Sequence, residues 1–395
     1  MFRAVASLGF VLATSRSLGA SGFGSLAALS SLTSLAVSVA ISGFNHALTQ
    51  LVAQSRHEPT SASRGARRSI VVAALALVAP FGILAGLLPG VTVTAAIALF
   101  LIDVPITGLA ETMSSRFVGE RRFSAAFLVL APVAVGRLAA AAVVWLTPVH
   151  TLQGATVAAL IGGAAGFVVA LTANMRLLRS DRPQRVDRPP YRRAFRLAAL
   201  FGTGNVVNRA GNDADKVLLS ASLGEIPAVG SYAIAYRLAE YAAIPMTALS
   251  AAAYPRLFRA GADSLESARH ASRALRTRYL VTGAATSLVI VAAIPLATPV
   301  FGDSYPHLSQ SLLALAMLPM VRAVNNYLAE PLTGAGRHGL RVWVWTAALV
   351  ANLAANVVLI PIWGIFGAVA ATYVTEATQF AILVWLKRRL APASM

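Results

Sequence analysis

The chain is 395 residues long, 57% hydrophobic and 12% charged, with a net charge of +18 and no cysteine; its mean hydropathy is +0.69. Soluble domains run at roughly 45–50% apolar and about 25% charged, so a water-soluble globular architecture is excluded. The missing cysteines also exclude a disulfide framework, a Cys-based zinc site and a thiol nucleophile.

A membrane-crossing helix needs about 20 apolar residues, so this length allows about a dozen spans and leaves little for a soluble domain. In chain order the apolar runs fall at 2–17, 25–53, 70–89, 91–113, 124–146, 153–175, 197–221, 229–254, 279–300, 309–331, 342–361 and 366–386. They are long and unalternating, which favours helices over barrel strands that alternate over about ten residues. Met1-Phe2-Arg3 followed by Ala4 to Leu18 has the look of a signal peptide, but another apolar span follows and no polar domain does. It is read as the first helix.

Positive charge is sorted between the gaps. All but six of the 33 Lys and Arg residues lie in the N-terminus, the C-terminus and every second connection. Basic connections stay on the cytoplasmic side of a membrane, which places both termini there, in a cytoplasmic (cell inner) membrane. Such juxtamembrane charges are attracted to anionic lipid headgroups at about 1 kcal/mol each, so membrane lipids, and no nucleic acid, are the expected partners of the basic excess. The most basic connection, 176–196, carries Arg176, Arg179, Arg182, Arg185, Arg188, Arg192, Arg193 and Arg196 with three prolines. It divides the chain into an N-terminal six-helix lobe (1–175), a basic linker (176–196), a C-terminal six-helix lobe (197–386) and a tail (387–395).

Two internal echoes support that division. Ser17-Leu18-Gly19 leads through Gly24-Ser25 into the second span, and Ser222-Leu223-Gly224 leads through Gly230-Ser231 into the eighth. Leu109-Ala110-Glu111 closes the fourth span and Leu328-Ala329-Glu330 the tenth. Each echo is displaced by six spans, which returns the chain to the same side and makes the halves parallel repeats about the membrane normal. Glycine at these outward turns permits a tight reversal.

The six displaced cations are Arg16, Arg137, Arg209, Lys216, Arg237 and Arg322, and the spans also hold Asp103, Asp213, Asp215, Glu240 and Glu376. A charge near mid-bilayer costs about 2.5–3.5 kcal/mol on insertion scales, so these groups must face a bundle interior or a wet cavity. Arg209 with Asp213, Asp213 with Lys216, and Arg237 with Glu240 are three or four apart and share helix faces. Arg137 and Arg322 have no acid at such spacing; each needs a partner on another helix or an anionic ligand, and an arginine fork suits a phosphate. Arg16 snorkels to the outer interface. Arg137, Arg209, Arg237 and Arg322 are therefore substrate-binding candidates, and Asp103, Asp213, Asp215, Glu240 and Glu376 are coupling or charge-pairing candidates. Pro80, Pro105, Pro132, Pro245 and Pro295 invite kinks, and Asn205, Asn208, Asn325, Asn326, Asn352 and Asn356 can join helices.

Several chemistries find no carrier. The chain has no GxxxxGK[ST] loop, and its lysines are Lys216 and Lys387. No histidine spacing resembles HExxH or another metal cluster. No outward gap exceeds about a dozen residues on boundaries good to about 2–4 residues, too little for an extracytoplasmic catalytic segment. Neither an enzyme activity nor a cofactor or metal is expected.

The second half carries a resemblance. Asn212-Asp213-Ala214-Asp215-Lys216-Val217-Leu218-Leu219, Leu223-Gly224, Val229-Gly230-Ser231-Tyr232-Ala233-Ile234-Ala235-Tyr236-Arg237-Leu238 and the exit Tyr254-Pro255-Arg256 resemble the polysaccharide-transport (Wzx-like) flippases. That family belongs to the multidrug/oligosaccharidyl-lipid/polysaccharide exporter superfamily. Gly334-Ala335-Gly336-Arg337, the stretch from Asn352 to Thr372 through Pro361-Ile362-Trp363-Gly364, and the opening Arg16-Ser17-Leu18-Gly19 with Gly22-Phe23-Gly24 fit as well. The resemblance implies an all-α polytopic membrane protein with about 12 transmembrane helices in two six-helix lobes around a central cavity, working by alternating access. The implied cargo is an undecaprenyl-diphosphate-linked oligosaccharide for surface polysaccharide biosynthesis. The implied partners are that lipid-linked glycan and the polysaccharide polymerase and glycosyltransferases acting around it. The matched motifs describe fold and turns; Asp215 and Arg237 lie within them, whereas Arg137 and Arg322 stand on charge spacing alone. Rival readings are an ion-coupled multidrug exporter of the same superfamily, for which Asp103 and Glu376 would serve, and a non-transporting membrane scaffold.

Overall fold

A computed structural model describes residues 2–43, 45, 72, 76–77, 80–88, 91–119, 122–147, 151–180, 191–222 and 226–390. The described elements are helical. In chain order they are α1 (Phe2–Val37, continued by a π-turn at Ser38–Ser42), α2 (Val93–Gly119), α3 (Phe123–Leu146), α4 (Leu152–Ser180), α5 (Tyr191–Ser222), α6 (Ile226–Ala242), α7 (Ile244–Asp263), α8 (Leu265–Arg273), α9 (Arg276–Phe301), α10 (Leu308–Leu315), α11 (Leu318–Gly334), α12 (His338–Trp363) and α13 (Ile365–Arg389). Seven helical stretches among the described residues are long and apolar enough to cross a membrane.

The first two expected spans both lie in α1 and are separated by Gly19, whose φ of 64° and ψ of −175° break the helix. That backbone conformation suits glycine alone, as the outward-turn reading requires. The eighth and tenth spans are each interrupted: at Ala243 between α6 and α7, and at Ala316–Met317 between α10 and α11. Pro245 and Pro319 stand in the first turn after each break. A proline lacks the amide hydrogen that a continuous helix would need there. Pro105, Pro132 and Pro295 stay inside unbroken helices. Part of the third span and the end of the second lie outside the described residues. Helices also run into the basic connection, α4 to Ser180 and α5 from Tyr191, so 176–180 and 191–196 are helical.

The chain forms two compact units, Met1–Arg209 and Ala210–Met395. Packing thus divides it inside α5, whereas charge and proline content place the join at 176–196. In the first unit α3 and α4 are in close contact through glycines. A Cβ at Gly136 would sit 2.0 Å from the Gly162 carbonyl oxygen, and one at Gly166 would sit 2.2 Å from that of Pro132. Lipid tails give apolar side chains no reason to leave them, so close backbone approach is what holds such helices together.

In the second unit α12 turns into α13 through the single residue Gly364, at φ 57°. Asparagines tie the pair: Asn356 donates to Asn352 Oδ1 (2.9 Å), and Asn352 donates to Thr375 Oγ1 (2.8 Å). Their shared face is a packing face. The outward surfaces are apolar; Leu288, Val289 and Leu296 on α9 and Val350, Val357 and Ile362 on α12 are exposed, as lipid-facing side chains must be.

The basic pieces of the second unit meet at one end. Arg269 on α8 donates to the carbonyls of Leu390 (3.0 Å) and Lys387 (3.2 Å) at the end of α13, and Ser272 donates to the Tyr327 carbonyl of α11. The opposite ends of α10 and α13 meet through the rings of His307 and Phe366, 6.4 Å apart. Within this unit the sorted charge therefore corresponds to a physical end of the bundle. The helix α8 falls where the sequence reading has only a basic loop. Its start is capped by the Ser264 side chain, which accepts from the Ser267 amide.

Gly136→Leu forces side-chain atoms into the α3–α4 backbone contact. Overpacking of this kind costs about 1–3 kcal/mol or more, and the unfolding midpoint in detergent is expected to fall. Gly339→Ala, where an added Cβ meets nothing within 4 Å, is expected to leave the midpoint unchanged or slightly raised.

Candidate functional site

Most of the ionisable groups in the second unit's spans form one network on α5, α6, α11 and α13. Its deepest member is Lys216, fully buried on α5. The Lys216 ammonium lies 3.3 Å from Asp215 Oδ1 and 3.4 Å from Asp213 Oδ1. It donates to the Asn212 carbonyl and sits 3.8 Å from the centroid of the Tyr236 ring. One ammonium thus faces two carboxylates, a backbone dipole and an aromatic face; each favours a cation. Asp215 also accepts from the Tyr232 hydroxyl, which lies 3.4 Å from Thr372 Oγ1 on α13.

Tyr236 carries the network onward. Its hydroxyl donates to Asn212 Oδ1 (3.2 Å) and accepts from Arg322 Nη2 (2.8 Å); Arg322 Nη2 also donates to Asn212 Oδ1 (3.2 Å). Arg322 also donates from Nε to Glu376 Oε1 at 2.8 Å. Glu376 is held from behind by Asn325, whose amide donates to both its Oε2 (2.8 Å) and its backbone carbonyl (3.0 Å). The Glu376 side chain is 5% exposed and that of Arg322 is 18% exposed. Arg322 is thus the accessible end of an otherwise enclosed array. Arg237 and Glu240 form a separate pair along α6 at 3.0 Å, about a fifth exposed on each side.

The first unit has a smaller counterpart. Arg137 on α3 forms an ion pair with Asp103 on α2 and donates to Thr107 Oγ1 at 2.9 Å. The Arg137 side chain is 31% exposed, and its stem lies beside Gly163 of α4. Asp103, a coupling or charge-pairing candidate, is therefore the partner that Arg137 lacked along its own helix.

The structure brings Asp213, Asp215, Arg322 and Glu376 into one network with Lys216, and pairs Asp103 with Arg137 and Glu240 with Arg237. Arg209 is half-buried on α5, a turn before Asp213, in the other compact unit. Both arginines without a local acid have found one on another helix, the first of the two alternatives their spacing left open. The sequence reading did not single out Tyr232, Tyr236 or Asn212 as network members. The available signal was the four-residue spacing of two tyrosines in an otherwise small-residue run just before Arg237.

These features define a multi-pass membrane protein with charge carried inside its spans. The sequence matches the family described as polysaccharide biosynthesis protein over residues 1–260, and the chain belongs to that family. No curated protein matches it. Among solved structures it is similar to an inward-facing multidrug resistance MATE family transporter of the MOP superfamily, with a TM-score of 0.72, 14% identity, and 98% of this chain and 94% of that one covered. It is also similar to the lipid II flippase MurJ in an inward closed conformation (TM-score 0.69, 13% identity, 98% and 86% covered). A third similar structure is a MOP superfamily transporter from Pyrococcus furiosus, described for the reverse polarity of its binding pocket (TM-score 0.58, 14% identity, 98% and 93% covered). At such identities the likeness establishes the fold, that of an all-α polytopic membrane protein with two helical lobes.

Lys216→Met is expected to destabilise the protein by about 3–5 kcal/mol, since it strands two buried carboxylates. Adding Asp215→Asn should recover part of that loss. Unfolding of both variants in detergent, compared with Asp215→Asn alone, gives the coupling by a double-mutant cycle.

Proposed function

We propose that this protein is a flippase that moves an undecaprenyl-diphosphate-linked oligosaccharide across the cytoplasmic membrane for surface polysaccharide biosynthesis. It works by alternating access around a central cavity, with both termini cytoplasmic. Family membership supports a role in polysaccharide biosynthesis, and the fold supports transport. The observation that carries the reading is Arg322: a guanidinium within a span, partly exposed, with its Nε on Glu376 and its Nη2 on Tyr236 and Asn212.

Arginine binds phosphate through the same paired N–H geometry that binds a carboxylate. A diphosphate headgroup entering the cavity exchanges with Glu376 for Arg322, while Asn325 keeps the released carboxylate in place. Arg137, released from Asp103, offers the same exchange on the first unit. Holding each cation on a protein carboxylate between visits keeps the empty carrier from exposing an uncompensated charge to hydrocarbon. Release of Glu376 and Asp103 also supplies two carboxylates that can take up protons when the cargo binds, a route to ion coupling. The multidrug-exporter reading would draw on the same ion pairs, through Asp103 and Glu376; what favours the glycan is membership of the polysaccharide biosynthesis family.

Deleting the gene is expected to abolish surface polymer and to trap undecaprenyl-linked glycan on the cytoplasmic leaflet. Wild-type protein restores export. The charge-neutral double variant Arg322→Gln/Glu376→Gln keeps the span electrically balanced but is expected to lose about tenfold or more of export, the value of one or two charge-assisted hydrogen bonds. Unchanged polymer with no stalled intermediate, or drug resistance without any glycan phenotype, would count against the flippase.

A further inference from the structure

One buried acid of the second unit has no cation against it. Within the spans of that unit Asp213 and Asp215 lie on Lys216, Glu240 on Arg237 and Glu376 on Arg322. Glu330, one turn before the end of α11, is 1% exposed and forms no ion pair among the described residues. Its Oε1 accepts from the Tyr279 hydroxyl at 3.4 Å, and that hydroxyl lies 2.8 Å from Ser250 Oγ. Its Oε2 is buried with no hydrogen-bond partner among the described residues.

The carboxyl sits at a junction of three helices. Tyr279 belongs to α9 and Ser250 to α7, and both helices pack with Ala323 of α11 in one apolar cluster. Just beyond Glu330 the backbones of α7 and α11 meet at Gly261 and Gly334. This is the basic end of the unit, where α8 bonds the Tyr327 carbonyl. The charged group that acts on Glu330 is Arg341 of α12. Its guanidinium is occupied, donating to Thr333 and lying 4.9 Å from the Trp345 ring. From α13, Leu383 and Leu386 pack on this part of α11. Arg269 and Arg273 of α8 and Lys387 of α13 line a pocket beside Tyr327 and Pro331 that does not include Glu330. A carboxylate stripped of water and left without a paired cation is far more costly than the neutral acid. Two hydroxyls in line do not cancel a charge.

We propose that Glu330 is a proton-binding site that latches the basic end of the second unit. It holds a proton on Oε2 while α7, α9 and α11 are closed around it, and gives that proton to entering water when they part. Protonation favours the closed junction, and a rise in pH favours the open one. Glu376 and Asp103 are freed by exchange of an arginine, whereas this acid answers to water alone. The role rests on alternating access but not on the cargo, and the tests are read without cargo, so failure here leaves the flippase reading standing.

The chain has no cysteine, so a single one reports on the junction. Ala253→Cys, on α7 inside the apolar cluster, is labelled with a maleimide in detergent. Its rate is divided by that of Gly339→Cys, an exposed position, which removes the pH dependence of the thiol reaction itself. The ratio is expected to rise about threefold or more between about pH 6 and about pH 9, the range in which unpaired buried carboxyls titrate. With Glu330→Gln it stays low and flat, and with Arg341→Gln, which loses the cation favouring the carboxylate, the rise moves to higher pH. The infrared spectrum at neutral pH is expected to show a protonated-carboxyl band in wild type that Glu330→Gln lacks. The proposal is overturned if Glu330→Gln responds to pH as wild type does, or if the two infrared spectra coincide. Should Glu330→Gln not fold, Tyr279→Phe, which removes the hydrogen bond to Oε1, must displace the carboxyl band or the idea fails.

Discussion

An ionised side chain in hydrocarbon has to be neutralised by something the protein itself supplies, and this requirement organises the second unit. Lys216 cannot lie in α5 unless Asp213, Asp215 and the face of Tyr236 surround it. Arg322 cannot lie in α11 unless α13 brings Glu376 to it. Each pairing fixes the rotation of one helix relative to another, so the charges specify the packing as much as they burden it. Breaking one member leaves a buried charge; removing both members of a pair does not.

Helices associate by two means. Glycines bring backbones into contact, α3 with α4 in the first unit and Gly261 of α7 with Gly334 of α11 in the second. In the second unit hydrogen bonds between polar side chains also connect the spans: Asn352 to Thr375, Asn325 to Glu376, and the Tyr279 hydroxyl of α9 to buried Glu330 of α11. Polar contacts are more readily exchanged for a ligand's groups than close backbone packing is. An array that ends on a partly exposed arginine is therefore suited to a cargo that carries its own anion.

Much of this was legible in the residues. Helical class, span positions and the sorting of charge follow from apolar runs and from where arginines are tolerated. Asp213–Lys216 and Arg237–Glu240 follow from three-residue spacing, because a helix places such neighbours on one face. Arg137–Asp103 and Arg322–Glu376 were not legible as pairs, since sequence separation says nothing about which helices touch; only the need for a remote partner could be read. Tyr232 and Tyr236 carry no signal in the sequence beyond their four-residue spacing; the structure sets them beside Asp215 and Lys216. The break before Pro245 follows from its proline, whereas the one before Pro319 lies within an apolar run whose hydropathy does not register a missing amide. The helix α8 was masked by its charge, although Ser264 and Glu266 at its start are ordinary capping signals.

The most direct measurement reconstitutes the purified protein into liposomes whose inner leaflet alone carries a polyprenyl-diphosphate-linked oligosaccharide. It then follows the glycan's accessibility to an impermeant lectin outside. Wild-type protein is expected to expose the glycan within the assay, and Arg322→Gln/Glu376→Gln, folded to the same extent, to leave most of it protected. Equal exposure by wild type and the neutral variant would contradict the role of the charged interior, and no protein-dependent exposure at all would contradict transport itself.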